Sequence, residues 1–228
     1  MNRAVEERKS STAQSHLDLN SLRLYLITDR SLFTGENEFL NAVEAALAGG
    51  VKALQLREKD LAAAEFLELA QKMRSLTAKY QARLFINSRA DVAKTVGADG
   101  VHLTEASAPA GEVRKNFPGL LVGVSTHSLE KAKQAETEGA DFITFGPVFD
   151  TPSKKEYGPP QGLDRLREVT GNVNLPVLAL GGVKLENLDS VLDHGAFGAA
   201  LISGIWSSSN INKETDSYLE IFRRRNLL

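Results

Sequence analysis

The sequence predicts one α/β domain with the (β/α)8 architecture of the TIM barrel. Eight short apolar runs alternate with segments in which apolar residues recur at three- and four-residue steps, the spacing of amphipathic helices. Successive runs begin about 17 to 35 residues apart, which leaves room for a crossover helix between parallel strands. Eight such units in about 200 residues fit a closed barrel better than an open doubly wound sheet, which usually has fewer strands.

The predicted strands follow one another along the chain, and a glycine or another small residue precedes several of them. The stretches AGGVKALQL, GADGVHLT, GADFITFG and GAFGAALIS share this pattern, which is typical of a helix ending in a short loop before a strand. Clear helical segments are NEFLNAVEAALAGG, AAEFLELAQKMRSLTAKY and SLEKAKQAETEGA. The eight strands are expected at residues 24–28, 51–56, 83–87, 100–103, 120–124, 141–145, 176–180 and 198–202.

The composition is that of a folded protein whose ligand is a small molecule. Of the 228 residues, 42% are hydrophobic and 25% are charged, and the formal net charge is −2. This balance provides no global field for binding DNA, RNA or an anionic membrane, so a small metabolite is the expected partner. The chain has no cysteine, which excludes disulfides and thiol nucleophiles and is typical of a cytoplasmic protein.

The first 20 residues are polar and predict a loose extension ahead of a barrel at residues 21–228. They carry several acids and lack the hydrophobic region of a signal peptide, so neither a signal nor a transit peptide is expected. No apolar run approaches the roughly 20 residues that span a bilayer.

In a barrel of this kind the residues after each strand converge on one cavity, where the active site lies. The last two predicted strands end in Gly181-Gly182 and Ser203-Gly204, each followed by a helical segment. Glycines let backbone N–H groups approach an anion and a helix N-terminus attracts it, so these loops predict a phosphate site. The alternative is that the glycines only make tight turns.

Two further strand ends carry groups that suit phosphate oxygens. Gln55 and Arg57 point to the same side of the second strand, and Lys59 follows. Their amide, guanidinium and ammonium groups suit phosphate or pyrophosphate, although a surface ion pair within REKD is the alternative. The loop GPVFDTPSKKEYGPPQG after the sixth strand adds Thr151, Ser153 and Lys154, and it is either a binding loop or a solvated lysine-rich loop.

His127 is the candidate acid–base residue, because it follows the fifth strand and imidazole exchanges a proton near neutral pH. The alternative for His127 is a contact at the start of the next helix. His102 fits a hydrogen-bonded core histidine, and His194 fits a capping residue near the end of a helix. No clear pair of carboxylates points at one ion, so metal catalysis is not predicted.

These motifs together resemble the family of thiamine phosphate synthases and their relative TenI, a thiazole tautomerase. The resemblance covers about residues 22–222 and rests on LYLITDR, GGVKALQLREK, FINSRADVAKTVGADGVHL, GVSTHSLEKAKQAETEGADFITFGPVFDTPSKK, PVLALGGV and LISGI. It implies a homodimer, and it implies that Arg57, Lys59 and Asn87 bind the pyrophosphate of a pyrimidine substrate. It also implies a binding role for Ser125, contacts of Thr151, Ser153 and Lys154 with the pyrophosphate or the thiazole phosphate, and a thiazole-phosphate site formed by Gly182, Ile202 and Ser203.

The departures from the synthase pattern fall at the metal. Synthases carry Asn-Asp-Arg and Gln-Glu-Asp where this chain has Asn87-Ser88-Arg89 and Glu105-Ala106-Ser107. The resemblance therefore aligns the two Mg²⁺-binding aspartates of the family with Ser88 and Ser107. Neutral hydroxyls supply neither the charge nor the affinity that a hard divalent ion needs. The alternative is that Glu105 or a rearranged Asp29 holds Mg²⁺ in a different geometry.

We therefore expect a thiazole phosphate tautomerase that needs no cofactor, because the tautomerases also lack those aspartates. In this hypothesis the glycine loops bind the phosphate, Arg57 or Lys59 faces a carboxylate, and His127 transfers the proton. The first alternative is a Mg²⁺-dependent thiamine phosphate synthase, which joins hydroxymethylpyrimidine diphosphate to thiazole phosphate; Lys59 and the TPSKK loop favour it. The second is a non-catalytic protein that binds thiamine or thiazole phosphates.

Overall fold

Eight parallel strands close into a barrel in the order in which they occur along the chain. The computed structural model describes residues 19–151 and 159–228. Each strand pairs with the next, and the last pairs with the first, so the predicted barrel is confirmed. The strands are β1 (Leu24–Ile27), β2 (Ala53–Leu56), β3 (Arg83–Asn87), β4 (Gly100–Leu103), β5 (Leu121–Thr126), β6 (Phe142–Phe145), β7 (Val177–Leu180) and β8 (Gly198–Leu201).

Helices connect the strands and cover the outside of the barrel. They are α1 (Glu36–Ala48), α2 (Ala63–Lys79), α3 (Ala90–Val96), α4 (Ala110–Asn116), α5 (Leu129–Thr137), α6 (Gly162–Thr170), α7 (Leu185–Asp193), α8 (Ser203–Trp206) and α9 (Ile211–Arg224). In the described part of the chain, no helix is both long and apolar enough to span a membrane. The expected extension lies almost wholly outside the described residues, as do Ser153 and Lys154.

The predicted strands differ from the observed ones only at their ends. Val51 was expected to begin the second strand, but it precedes β2 and its N–H donates to Ala46 O at the end of α1. Val51 is apolar because the helix-to-strand loop is itself buried, not because it belongs to the sheet. Thr126 extends β5 beyond the predicted end, because it stays in register with Phe145 of β6.

A layer of aromatic rings fills the barrel lumen below the carboxyl ends of the strands. Tyr25, Phe85, His102 and Phe142 are each at most 2% exposed, and the centroids of contacting rings lie 5.3–5.6 Å apart. Gly123 on β5 leaves the space for these rings, because a Cβ there would lie 2.4 Å from the Phe142 ring. The site therefore rests on a packed floor.

Candidate active site

A cavity of about 280 Å³ opens above the aromatic layer. We call it the inner cavity. Gln55, Asn87 and Ser125 reach it from β2, β3 and β5, and Thr104 and Glu105 reach it from the loop after β4. The structure brings seven of the predicted site residues to this one cavity: Gln55, Arg57, Lys59, Asn87, Ser125, His127 and Ile202.

The two cations of the inner cavity are available to a ligand. Arg57 is half-buried and Lys59 is exposed. Within residues 19–151 and 159–228, no carboxylate pairs with either side chain, whereas Arg30 pairs with Asp60 at 2.5 Å. The ion pair considered within REKD is thus absent from the described residues, and both cations can face an anion.

Glu58, which the sequence analysis did not single out, holds Arg57 in place. Its carboxylate accepts hydrogen bonds from Thr28 Oγ1 (2.5 Å) and from the Arg30 N–H (3.1 Å). Thr28 Oγ1 in turn accepts from the Arg57 N–H at 2.9 Å. Burial has the largest influence on the pKa of Glu58 and raises it, while these hydrogen bonds lower it. The contact ties the end of β1 to the end of β2, and no short-range pattern indicates it.

A chain of hydrogen bonds runs through the lumen floor to Ser125. Gln55 Nε2 donates to the Tyr25 hydroxyl (3.3 Å), which lies 3.2 Å from His102 Nδ1, and His102 Nε2 lies 3.0 Å from Ser125 Oγ. Burial, followed by the charge of Arg57, lowers the pKa of His102 to about 3, so its ring is neutral at pH 7. If Tyr25 donates to Nδ1, Nε2 donates to Ser125, and the Ser125 proton is then directed into the cavity. His102 is thus the core histidine that the sequence suggested.

Three hydroxyls lie together beside the inner cavity, which Thr104 lines, while Ser107 lines a smaller cavity next to it. We call Ser88, Thr104 and Ser107 the hydroxyl cluster: Ser107 Oγ lies 3.0 Å from Ser88 Oγ and 3.2 Å from Thr104 Oγ1. Asn87 Nδ2 donates to Ser88 Oγ at 3.2 Å. In the described ranges no group of three or more His, Asp or Glu side chains is placed to hold a metal ion.

His127 lines the inner cavity directly after β5. Its Nδ1 contacts the carbonyl oxygen of Gly146 at the end of β6, which fixes the plane of the ring. The N-terminus of the following helix α5 is capped instead by Ser128, whose side chain accepts from the Lys131 N–H. The position suits a group that contacts a substrate.

A second cavity, of about 500 Å³, lies at the ends of β7 and β8. We call it the glycine-loop cavity. It is lined by the predicted residues Thr151, Gly181, Gly182, Ile202 and Ser203. The sequence analysis missed Lys184, Ser207 and Ser208, which also line it and lie only a few residues beyond the two strand ends.

Gly181 and Gly182 are required by the backbone of this cavity. Their φ angles are +93° and +65°, values that side-chain-bearing residues rarely adopt. A Cβ at Gly182 would also lie 2.7 Å from Phe149 Cβ, in the loop after β6. The two glycines therefore allow the β6 and β7 loops to meet closely beside the cavity.

The two cavities are neighbours. Leu180 at the end of β7 and Ile202 after β8 line both of them, so the two cavities border each other at the carboxyl ends of the strands.

Comparisons with known proteins place the chain in one family. The family model described as thiamine monophosphate synthase matches residues 24–205. A Geobacter sulfurreducens protein named "Putative thiamine-phosphate synthase" is 54% identical over 183 residues, which are 80% of this chain and 85% of that protein. The thiamine-phosphate synthase of Methanococcus maripaludis is 35% identical over 90% of this chain and 97% of its own. A solved structure of a thiamine phosphate pyrophosphorylase from Pyrococcus furiosus superimposes with a TM-score of 0.82 and 37% identity, covering 90% of this chain and 97% of its own.

These findings correct one prediction from the sequence. We expected a tautomerase to be favoured over a synthase, but relatives 35–54% identical carry the synthase name. That prediction gave too much weight to the two serines at the metal positions and too little to the retained cations. The chain belongs to the thiamine monophosphate synthase family, whose members are enzymes of thiamine biosynthesis.

Proposed function

We propose that the protein is a thiamine-phosphate synthase, which couples hydroxymethylpyrimidine diphosphate to a thiazole phosphate. The observation that carries this proposal is the pair of adjacent cavities that share the lining residues Leu180 and Ile202. A coupling reaction needs two anionic substrates held side by side, whereas an isomerisation needs one. The names of the relatives support the same reaction.

The inner cavity suits the diphosphate substrate. Arg57 offers a planar fork and Lys59 a mobile point charge for the diphosphate oxygens. Asn87 and Ser125 add neutral hydrogen-bonding groups on two further strands. His127 lies in the same cavity and is assigned a binding role.

The glycine-loop cavity suits the thiazole phosphate. Backbone N–H groups at Gly182 and Ser203 can approach phosphate oxygens closely because one residue has no side chain and the other starts α8. Lys184 at the cavity wall carries a positive charge but pairs with Glu186 at 3.7 Å, and Asp150 and Glu214 line the cavity as well. This arrangement relies on backbone shape more than on side-chain charge.

The chemical step is a substitution at the methylene carbon of the pyrimidine. The lone pair of the thiazole nitrogen forms the new C–N bond, and the C–O bond to the diphosphate breaks with its electron pair moving to oxygen. Pyrophosphate leaves, and the nitrogen carries the resulting positive charge. The chain's task is to align the two reactants and to stabilise the charge on the departing oxygen, which Arg57 and Lys59 are placed to do.

Mg²⁺, the cofactor implied by the family resemblance, does not fit the residues at this place. The aligned positions hold Ser88 and Ser107, whose oxygens already accept hydrogen bonds from Asn87 Nδ2 and from the Thr104 N–H. Glu105 is the carboxylate that lines the cavity there, and it is exposed. A hard divalent ion prefers anionic oxygen ligands, so no step is assigned to it here.

The test is direct synthesis by the purified protein. Both substrates are supplied, and thiamine phosphate and pyrophosphate are measured in excess EDTA and in excess MgCl₂. We expect thiamine phosphate and pyrophosphate to form in equal amounts, and neither product to form when either substrate is omitted. Binding of both phosphates without turnover in either buffer would refute the synthase and indicate a non-catalytic binding protein.

A further inference from the structure

The hydroxyl cluster is built to donate hydrogen bonds, not to accept a cation. Two N–H groups point into it: Asn87 Nδ2 donates to Ser88 Oγ (3.2 Å) and the Thr104 N–H donates to Ser107 Oγ (3.0 Å). Ser107 also donates its proton to Ser88 Oγ at 3.0 Å. These bonds occupy oxygen lone pairs that a metal ion would need, and they leave hydroxyl protons to be shared or directed outward.

The surroundings of the cluster favour an anion as well. Asn87 and Thr104 line the inner cavity together with Arg57 and Lys59, for which the described residues provide no carboxylate partner. One carboxylate, that of Glu105, also lines the cavity, so two cations, neutral donors and a single acid leave it net positive and able to attract phosphate oxygens. The same cations would repel a divalent cation that arrives without a bound anion.

We propose that the hydroxyl cluster binds an anionic oxygen of the diphosphate directly, so that diphosphate binding needs no divalent cation. The proposal rests on the proposed function for the identity of the diphosphate substrate. Ser88, whose oxygen accepts from Asn87 and Ser107, thus provides a hydroxyl proton where the family resemblance places an anionic metal ligand. As the C–O bond breaks, the oxygen that receives the electron pair is stabilised by hydroxyl protons, Arg57 and Lys59.

The first measurement is isothermal titration calorimetry of the intact protein with inorganic pyrophosphate. Titrations are made in excess EDTA and in excess MgCl₂. We expect the Kd in EDTA to equal the value in MgCl₂ within about threefold, a small difference in binding free energy. Saturable binding that is seen only with Mg²⁺ would overturn the proposal.

The second measurement uses variants that remove a hydroxyl of the cluster or replace two of its hydroxyls with carboxylates. In EDTA, Ser107→Ala is expected to weaken pyrophosphate binding about tenfold, since Ser88 Oγ loses the hydrogen bond from Ser107 that leaves the Ser88 proton free for the anion. The double variant Ser88→Asp/Ser107→Asp is expected to weaken it about 100-fold or more, because two carboxylates then face the diphosphate. Addition of MgCl₂ is expected to restore binding to the double variant and to leave the wild-type protein unchanged.

The double variant is designed to fold. Ser88 has a φ of +59°, and aspartate adopts this left-handed region more readily than most residues. The matched control is Ser75→Asp/Ser217→Asp, which adds the same charge on α2 and α9; it is expected to bind pyrophosphate as the wild type does in both buffers. A double variant that has a native circular dichroism spectrum and binds pyrophosphate normally in EDTA would refute the role of the cluster.

The binding experiments separate this proposal from the proposed function. Pyrophosphate alone is the probe, so the result does not require turnover. Cation-independent pyrophosphate binding without synthesis would refute the proposed synthase and support the anion site. Synthesis with strictly Mg²⁺-dependent pyrophosphate binding would support the synthase and refute the anion site.

Discussion

The two cavities present contrasting ways of binding a phosphate group. The inner cavity presents charged and polar side chains from several strands, among them Arg57, Asn87 and Ser125. The glycine-loop cavity is shaped by backbone, at Gly181-Gly182 and at Ser203. Side chains can be replaced one at a time at a graded cost, whereas a backbone site depends on φ angles that few residues adopt. The contrast therefore predicts different responses to substitution.

The largest effect is expected from Arg57→Met in the inner cavity. Loss of a charge-assisted hydrogen bond of about 2–3 kcal/mol should raise KM for the pyrimidine diphosphate about 100-fold. KM for the thiazole phosphate should stay unchanged, because that substrate is assigned to the other cavity. Steady-state kinetics with each substrate varied in turn provide the measurement. Arg223→Met, on the exposed face of α9, is the control, and equal increases in both KM values would remove the distinction between the cavities.

A smaller effect, on the other substrate, is expected from Gly182→Ala. The new Cβ would be strained by a φ of +65° and would lie 2.7 Å from Phe149 Cβ. Displacement of this loop should raise KM for the thiazole phosphate about 30-fold, roughly 2 kcal/mol, and leave that for the pyrimidine diphosphate unchanged. Gly97→Ala is a matched control, because Gly97 has a φ of +66° with open space around it. If both variants have wild-type kinetics, the backbone of this loop does not bind the phosphate.

The third test concerns stability and separates the lumen floor from both cavities. His102 has a pKa of about 3 in the folded protein and about 6.5 when exposed, so only the unfolded chain takes up this proton between those values. The contribution of His102 to the free energy of unfolding is full above about pH 6.5 and falls by about 1.4 kcal/mol for each pH unit below it.

Urea unfolding at pH 7.5, 6 and 5 measures this slope. His102→Gln should reduce the dependence on pH by that amount, and it should also be less stable at every pH because the Tyr25 contact changes. His194→Gln, at the exposed end of α7, should retain the wild-type slope. An unchanged slope in His102→Gln would mean that the ring is already protonated in the folded state.

The sequence predicts the barrel well because its signal is repeated. Each strand is a short apolar run, each helix has its own periodicity, and glycines mark several of the connections. The errors lie at strand ends such as Val51, where a buried loop and a strand require the same apolar residue. Local patterns cannot separate these two reasons for burial.

The site is predicted less completely, because much of it depends on contacts between distant residues. Strand ends identify Arg57, Asn87 and Ser125, which the barrel brings to one cavity. No local pattern shows that Glu58 is buried against Thr28, or that Thr104 joins Ser88 and Ser107. The Thr28–Glu58 and Ser88–Thr104 contacts link residues 30 and 16 positions apart, and only the closed barrel makes them neighbours.

The aromatic layer closes the barrel lumen below the inner cavity. Tyr25, Phe85 and Phe142 pack edge to face across the barrel axis and leave the carboxyl-terminal mouth as the route to the inner cavity. Substrates, water and products then share a single passage. In the proposed reaction pyrophosphate and thiamine phosphate must leave through the same opening by which the substrates entered.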